Sequence, residues 1–208
     1  MSRGKFITIE GAEGVGKTTS IAFIEEYFKQ AGRKILLTRE PGGTPLAEKI
    51  RELLLDARQT SIADDTELLL MFAARAQHLQ EKIIPALQTG QWVICDRFTD
   101  ATYAYQGGGR GIDTARIEVL EEWVQGELRP DMTLLLDLPV DLGLKRAGER
   151  SAPDRFEQEQ QAFFERVRAT YLDIARAEPQ RYRIIDASGS IDEVQSRIRR
   201  VLDELTGR

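Results

Sequence analysis

The chain has 208 residues, 41% apolar and 30% charged, with a formal net charge of −5, the makeup of one globular domain with a full core. The anionic balance argues against a general nucleic-acid surface, which depends on a cationic excess. Cys95 and His78 are the only residues of their kinds and asparagine is absent. An internal disulfide, a Cys/His metal cluster, Ser-His-Asp hydrolysis and the Asn-Lys-x-Asp guanine-reading signature of GTPases therefore have little or nothing to be built from. No apolar run approaches the roughly 18 residues of a membrane span, and no basic segment leads into an apolar one at the N-terminus. The expected location is the cytoplasm, with no membrane partner.

In chain order, short apolar runs alternate with longer stretches of helical spacing. Phe6–Ile9 reads as a strand, 17–31 as a helix closing at Gly32, and Ile35–Thr38 as a second strand. A Pro-Gly-Gly turn follows at 41–43, and a helix that carries Arg51 opens near Leu46. The stretch 66–89 is helical with a kink expected at Pro85 and an end at Gly90. His78 lies on it and reads as packed or solvated rather than catalytic. Trp92–Cys95 is a third strand, with Cys95 as a buried, inert thiol. After Asp96-Arg97-Phe98 comes a glycine-rich loop through Gly111, a helix over 113–125 capped by Asp113, and a strand over 132–137. A cation-rich segment at 144–157 leads to a helix at 158–176, a strand at 182–186 and a helix at 190–205. Strands with continuous rather than alternating apolarity are covered on both faces. The pattern predicts one α/β domain with a parallel sheet of about five strands between helix layers.

Ligands gather at the carboxyl ends of such strands. Gly11-Ala12-Glu13-Gly14-Val15-Gly16-Lys17-Thr18 fits G-x-x-x-x-G-K-[ST] between a strand and a helix. In that context backbone N–H groups and the helix N-terminus cradle a β-phosphate, Lys17 reaches the β and γ phosphates, and the Thr18 hydroxyl ligates Mg2+. A tight turn with a chance Lys-Thr is the plain alternative, and eight matched positions in the right context favour nucleoside triphosphate binding. Asp96-Arg97 is either a surface ion pair or, beside a phosphate loop, an acid that organises Mg2+ and a fork that grips a second phosphate. Residues 144–157 are either a solvated loop or a lid that carries an arginine to the triphosphate and excludes water. A phosphate oxygen as acceptor needs no catalytic base, only neutralisation of two polyanions, and a second arginine facing the phosphate loop suits that reaction.

Taken together, Gly11–Thr18, Thr38-Arg-Glu-Pro-Gly-Gly-Thr44, Asp96-Arg97-Phe98, Ala104-Tyr-Gln-Gly-Gly-Gly-Arg-Gly111 and Asp154-Arg-Phe-Glu157 resemble the bacterial thymidylate kinase family. The match runs in order over nearly the whole chain. The resemblance implies a three-layer, P-loop nucleoside-monophosphate-kinase-like fold that moves the γ-phosphate of MgATP to dTMP, usually as a homodimer. It implies that Lys17, Arg97, Asp96 and Arg155 are the catalytic group, with Arg155 the arginine of a lid at about 147–157, since the phosphate loop has no arginine. Thr18 and Asp96 would attend the Mg2+, Asp96 directly or through its waters. Glu13 would reach the deoxyribose 3′-hydroxyl, and Arg97 with Arg51 the dTMP phosphate. The acceptor site would be completed by Pro41, Arg75 on thymine O4, Thr102, Tyr105 and Gln106, with Phe72 or Met71 stacked on the base.

Overall fold

The computed structural model describes residues 3–58, 62–148 and 154–207. Its strands are β1 (Phe6–Glu10), β2 (Ile35–Arg39), β3 (Trp92–Asp96), β4 (Met132–Asp137) and β5 (Tyr182–Asp186). Its helices are α1 (Lys17–Gln30), α2 (Pro45–Leu55), α3 (Asp64–His78), α4 (Ile84–Gln88), α5 (Thr99–Thr102), α6 (Thr114–Gln125), α7 (Val140–Gly148), α8 (Gln161–Ala177) and α9 (Ile191–Thr206). The five strands form one sheet in the order β2-β3-β1-β4-β5, and every pairing is parallel.

The order explains the apolar runs. β1 is central and every one of its residues is buried, whereas the edge strands β2 and β5 have partly exposed positions. The chain leaves β1 in one direction, to β2, and thereafter moves the other way, to β3, β4 and β5. With right-handed crossovers this puts helices on both faces, and α1 packs against α9 accordingly. The direction of winding switches between β1 and β3, so their carboxyl ends border the natural ligand crevice. The phosphate loop leaves β1 there, and Asp96-Arg97 leaves β3.

Two elements differ from the sequence reading. The long helix expected over 66–89 is interrupted by a widened π-type turn at Leu79–Ile83 before α4. Pro85, at the start of α4, has no N–H to give and would crowd the carbonyl four residues back, and the wider turn absorbs both defects. The segment after β3, expected as a loop, is helical: α5 runs into a second π-type turn over Tyr103–Gly109. Its glycines serve packing. A Cβ on Gly108 would lie 2.0 Å from Thr170 Oγ1, and one on Gly109 2.4 Å from the Phe163 ring. Arg166 also donates to the carbonyls of Gly108 (3.2 Å) and Gly109 (2.7 Å), which ties this turn to α8. Of the expected lid, residues 149–153, Arg150 among them, lie outside the described residues.

Candidate active site

Gly11, Gly14 and Gly16 all have positive φ. Gly14 is the most constrained, because at φ +70 an added Cβ would lie 1.8 Å from the Gly143 carbonyl oxygen on α7. Only glycine lets the phosphate loop sit on α7 in this way. Lys17 opens α1 and donates to the Gly11 and Ala12 carbonyls at 3.2 and 3.3 Å.

A cleft of about 270 Å³ lies over the ends of β1 and β3, lined by Glu13–Thr18, Pro41, Arg51, Met71, Arg75, Asp96, Arg97, Phe98, Thr102 and Tyr105, among others. Most of the expected site residues therefore share one space. Arg97 sits at φ 66, a left-handed conformation unusual outside glycine. Its Nη2 donates to Glu13 Oε1 at 2.8 Å and its guanidinium lies 4.6 Å from the Tyr105 ring centre. Tyr105 donates to the same Glu13 oxygen at 2.9 Å. Behind Arg97, Glu10 accepts from the Phe98 N–H (2.7 Å) and the Tyr171 hydroxyl (2.8 Å).

The electrostatics suit an anion. Burial and the neighbouring Arg97 draw the Lys17 pKa down; burial and Arg39 do the same to Arg51. Cations crowded enough to depress one another are relieved by a polyanion. Burial would raise the Glu13 carboxyl, but Arg97 and Lys17 outweigh it and hold its pKa low. Glu10, remote from solvent and close to Asp100, is pushed up to about 8.

Two buried atoms in the cleft wall have no partner among the described residues: Asp96 Oδ1 and Arg75 Nη1. A buried polar atom without a partner is costly, and both residues line the cleft. No cluster of three or more His, Cys, Asp or Glu suited to a metal occurs among the described residues. The Thr18 hydroxyl and the free Asp96 oxygen are hard donors of the kind Mg2+ takes when phosphates and water complete its shell.

Five expected residues stand outside the cleft wall: Phe72, Gln106, Arg155, Gly11 and Ala12. Phe72 is 2% exposed and packs with Leu68, Ile112 and Ile117, whereas Met71, the other residue expected at the base, lines the cleft. Gln106 and Arg155 are both engaged by Glu67, a fully buried carboxylate on the first turn of α3. Gln106 Nε2 donates to Glu67 Oε1 at 2.8 Å and Arg155 Nη2 to Glu67 Oε2 at 2.6 Å. Arg155 also donates to the Leu54 carbonyl at 2.8 Å, so it does not share the cavity of Lys17 and Arg97. Its neighbours Asp154, Phe156 and Glu157 do line the cleft. Gly11 and Ala12 lie beneath the phosphate loop against β4.

A second cleft on the other side of the phosphate loop went unread in the sequence. Gly14, Val15 and Gly16 border it together with Arg146 of α7 and Ala187, Gly189, Ser190 and Ile191 between β5 and α9. No compact motif marks it; the one available signal was the Ser190/Glu193 capping box, which fixes a helix start after the last strand.

Residues 9–198 match the family model described as thymidylate kinase. The chain belongs to the thymidylate kinase family. Relatives named thymidylate kinase cover nearly all of it. That of Pseudomonas syringae pv. tomato is 59% identical over 97% of this chain and 96% of its own. Those of Methylococcus capsulatus and Alcanivorax borkumensis are 56% and 54% identical, with 99% and 97% of this chain covered and 98% and 97% of theirs. The crystal structure of the thymidylate kinase from Ehrlichia chaffeensis superposes with a TM-score of 0.78 at 35% identity, over 97% of this chain and 99% of that one. The family's fold is thus the α/β fold with five parallel strands found here.

Proposed function

We propose that the protein transfers the γ-phosphate of MgATP to dTMP, yielding dTDP and ADP on the route to dTTP. The observation that carries this reading is the shared cleft, in which the phosphate-loop Lys17 and the β3 residue Arg97 face one space with Arg51 and Arg75 on its acceptor side. The triphosphate lies along Gly11–Thr18, with Lys17 on its β and γ phosphates. Mg2+, held by Thr18 and by Asp96 directly or through water, would offset phosphate charge. Adenine enters the second cleft, between Arg146 and the Gly189–Ile191 turn.

On the acceptor side Arg97 and Arg51 grip the dTMP phosphate. Arg51 is already aimed by its bond to the Pro41 carbonyl, 3.0 Å away. Glu13, held by Arg97 and Tyr105, accepts from the 3′-hydroxyl. Arg75 offers Nη1 to thymine O4, while Met71 and Phe98 wall the base. The acceptor oxygen is already anionic, so no residue needs to remove a proton; the work is alignment and charge neutralisation. Arg155 acts on the γ-phosphate only if it exchanges Glu67 for phosphate as the segment around it closes.

The protein is proposed to work in the cytoplasm as a homodimer, without nucleic acid or membrane partners. No helix among the described residues is long and apolar enough to cross a membrane. Support for the dimer comes from α3 and α6. Leu69 and Val119, 56% and 65% exposed, border one apolar groove, and Trp123, 82% exposed, lies one helical turn beyond Val119. Turnover of a panel of nucleoside monophosphates with MgATP tests the substrate. dTMP should exceed dCMP, dGMP and AMP clearly, and preference for any of those would reject it. Another small-molecule phosphate acceptor is the nearest rival, and the unpartnered Arg75 Nη1 disfavours a base that presents a donor there.

A further inference from the structure

Arg75 is the side chain whose direction matters most for reading a base, and it is fixed from behind. Its Nε donates to Glu40 Oε2 at 2.7 Å and its Nη2 to Thr102 Oγ1 at 3.0 Å. Nη1 alone of its nitrogens is buried without a partner, in a residue that lines the cleft. Glu40 has a second anchor: its Oε1 lies 3.0 Å from His78 Nδ1. His78 Nε2 is in turn 2.6 Å from Thr38 Oγ1. Glu40 and Arg75 are only 4% and 3% exposed, and His78 is fully buried. The His78 ring also seats the turn that carries Pro41, since a Cβ on Gly43 would lie 2.4 Å from Nε2.

We infer that His78, acting through Glu40, is a positioning residue that sets the direction of Arg75 Nη1 and thereby the selectivity for a pyrimidine with an acceptor oxygen at C4. A carboxylate can only accept, so His78 Nδ1 and Arg75 Nε both point hydrogens at Glu40 and lock its plane. With Nε and Nη2 occupied, the planar guanidinium has one orientation, and Nη1 becomes a fixed donor. A fixed donor with no alternative partner rejects a base with an amino group at that position. Without His78, Glu40 keeps only Arg75 Nε to fix its terminal torsion. Arg75 then loses its direction but not its charge. This inference rests on the proposed contact of Arg75 with the base.

The test uses the full-length protein and three variants, with KM and kcat measured for dTMP, dCMP and ATP. His78→Phe keeps the ring shape against Gly43 and removes both nitrogens. It should raise the dTMP KM about tenfold, the loss of one hydrogen bond to a charged group, and narrow the dTMP-over-dCMP preference. The kcat and the ATP KM should stay within about twofold of wild type. His78→Asn, which restores a donor near the Nδ1 position, should recover most of the dTMP KM. A purely structural role would move all parameters together and would not distinguish Asn from Phe. Such a result, or an unchanged dTMP KM in a folded His78→Phe, overturns the inference. Arg75→Ala separates the two levels. If it leaves the dTMP KM unchanged, the base contact itself is wrong; if it weakens dTMP while His78→Phe does not, only the role of His78 falls.

Discussion

Arg97 Nη2 lies 2.8 Å from Glu13 Oε1, so the cation at the end of β3 is joined to a carboxylate inside the phosphate loop. This ion pair would connect the two proposed nucleotide sites. In the proposed arrangement Glu13 would face the acceptor sugar and Arg97 the acceptor phosphate, and both line one cleft with the phosphate loop.

Arg97→Ala should lower kcat/KM for dTMP by several kcal/mol, on the order of 10² to 10⁴-fold, because a desolvated phosphate loses its bidentate partner. Arg97 already carries the left-handed backbone, but alanine leaves Glu13 without its ion-pair partner, so thermal unfolding should be recorded alongside steady-state kinetics. Unchanged kcat/KM in folded enzyme contradicts the assignment.

Arg155→Ala should lower kcat more than it changes the dTMP KM, since a cation that reaches the γ-phosphate late acts on the transition state. If kcat is unchanged, Arg155 is only the counter-ion of Glu67. Glu67→Gln should destabilise the fold by about 3 kcal/mol or more in either case. It strips the shared carboxylate from Arg110 and Arg155, which are 14% and 11% exposed.

Gly14→Ala should raise the ATP KM about tenfold or more, because a methyl group there meets the Gly143 carbonyl and the loop must leave α7. Titration of ATP against the variant checks this; a wild-type ATP KM means the loop has room that the structure denies it.

Stability should fall as pH rises from about 4.5 to 8. The Glu10 carboxyl titrates near 8 in the folded chain and near its ordinary value when unfolded, so the native state holds the extra proton across that window. Stability then declines with pH. Glu10→Gln mimics the protonated form, and the Tyr171 hydroxyl can turn to accept from the new amide. Melting temperatures from pH 5 to 9 should show a shallower decline for Glu10→Gln than for wild type. Parallel curves would show that Glu10 does not carry the dependence.

The strands were legible because a parallel sheet covered on both faces demands continuous apolar runs, and Phe6–Glu10, Trp92–Asp96 and Met132–Asp137 supply them. The phosphate loop was legible because its chemistry constrains adjacent residues. What failed to show lay in long-range packing. Tyr-Gln-Gly-Gly-Gly reads locally as a loop, and only the approach of Phe163 and Thr170 on α8 reveals why the glycines are there. Met71 and Phe72 are neighbours on one helix, and spacing alone could not tell which faces the cleft. Glu67 gave no signal at all, although its burial decides where Gln106 and Arg155 point. His78 read as packed or solvated, and the structure buries it; its bond to Glu40 depends on two elements meeting in space.

The most direct measurement is the fate of label from γ-labelled ATP incubated with Mg2+ and dTMP. The expected result is label in the β-phosphate of dTDP, one dTDP for each ADP, with both products greatly reduced for Lys17→Ala and Arg97→Ala. Label released as inorganic phosphate without dTDP, or dTDP formed undiminished by those two variants, would contradict a shared cleft in which Lys17 and Arg97 bring donor and acceptor phosphates together.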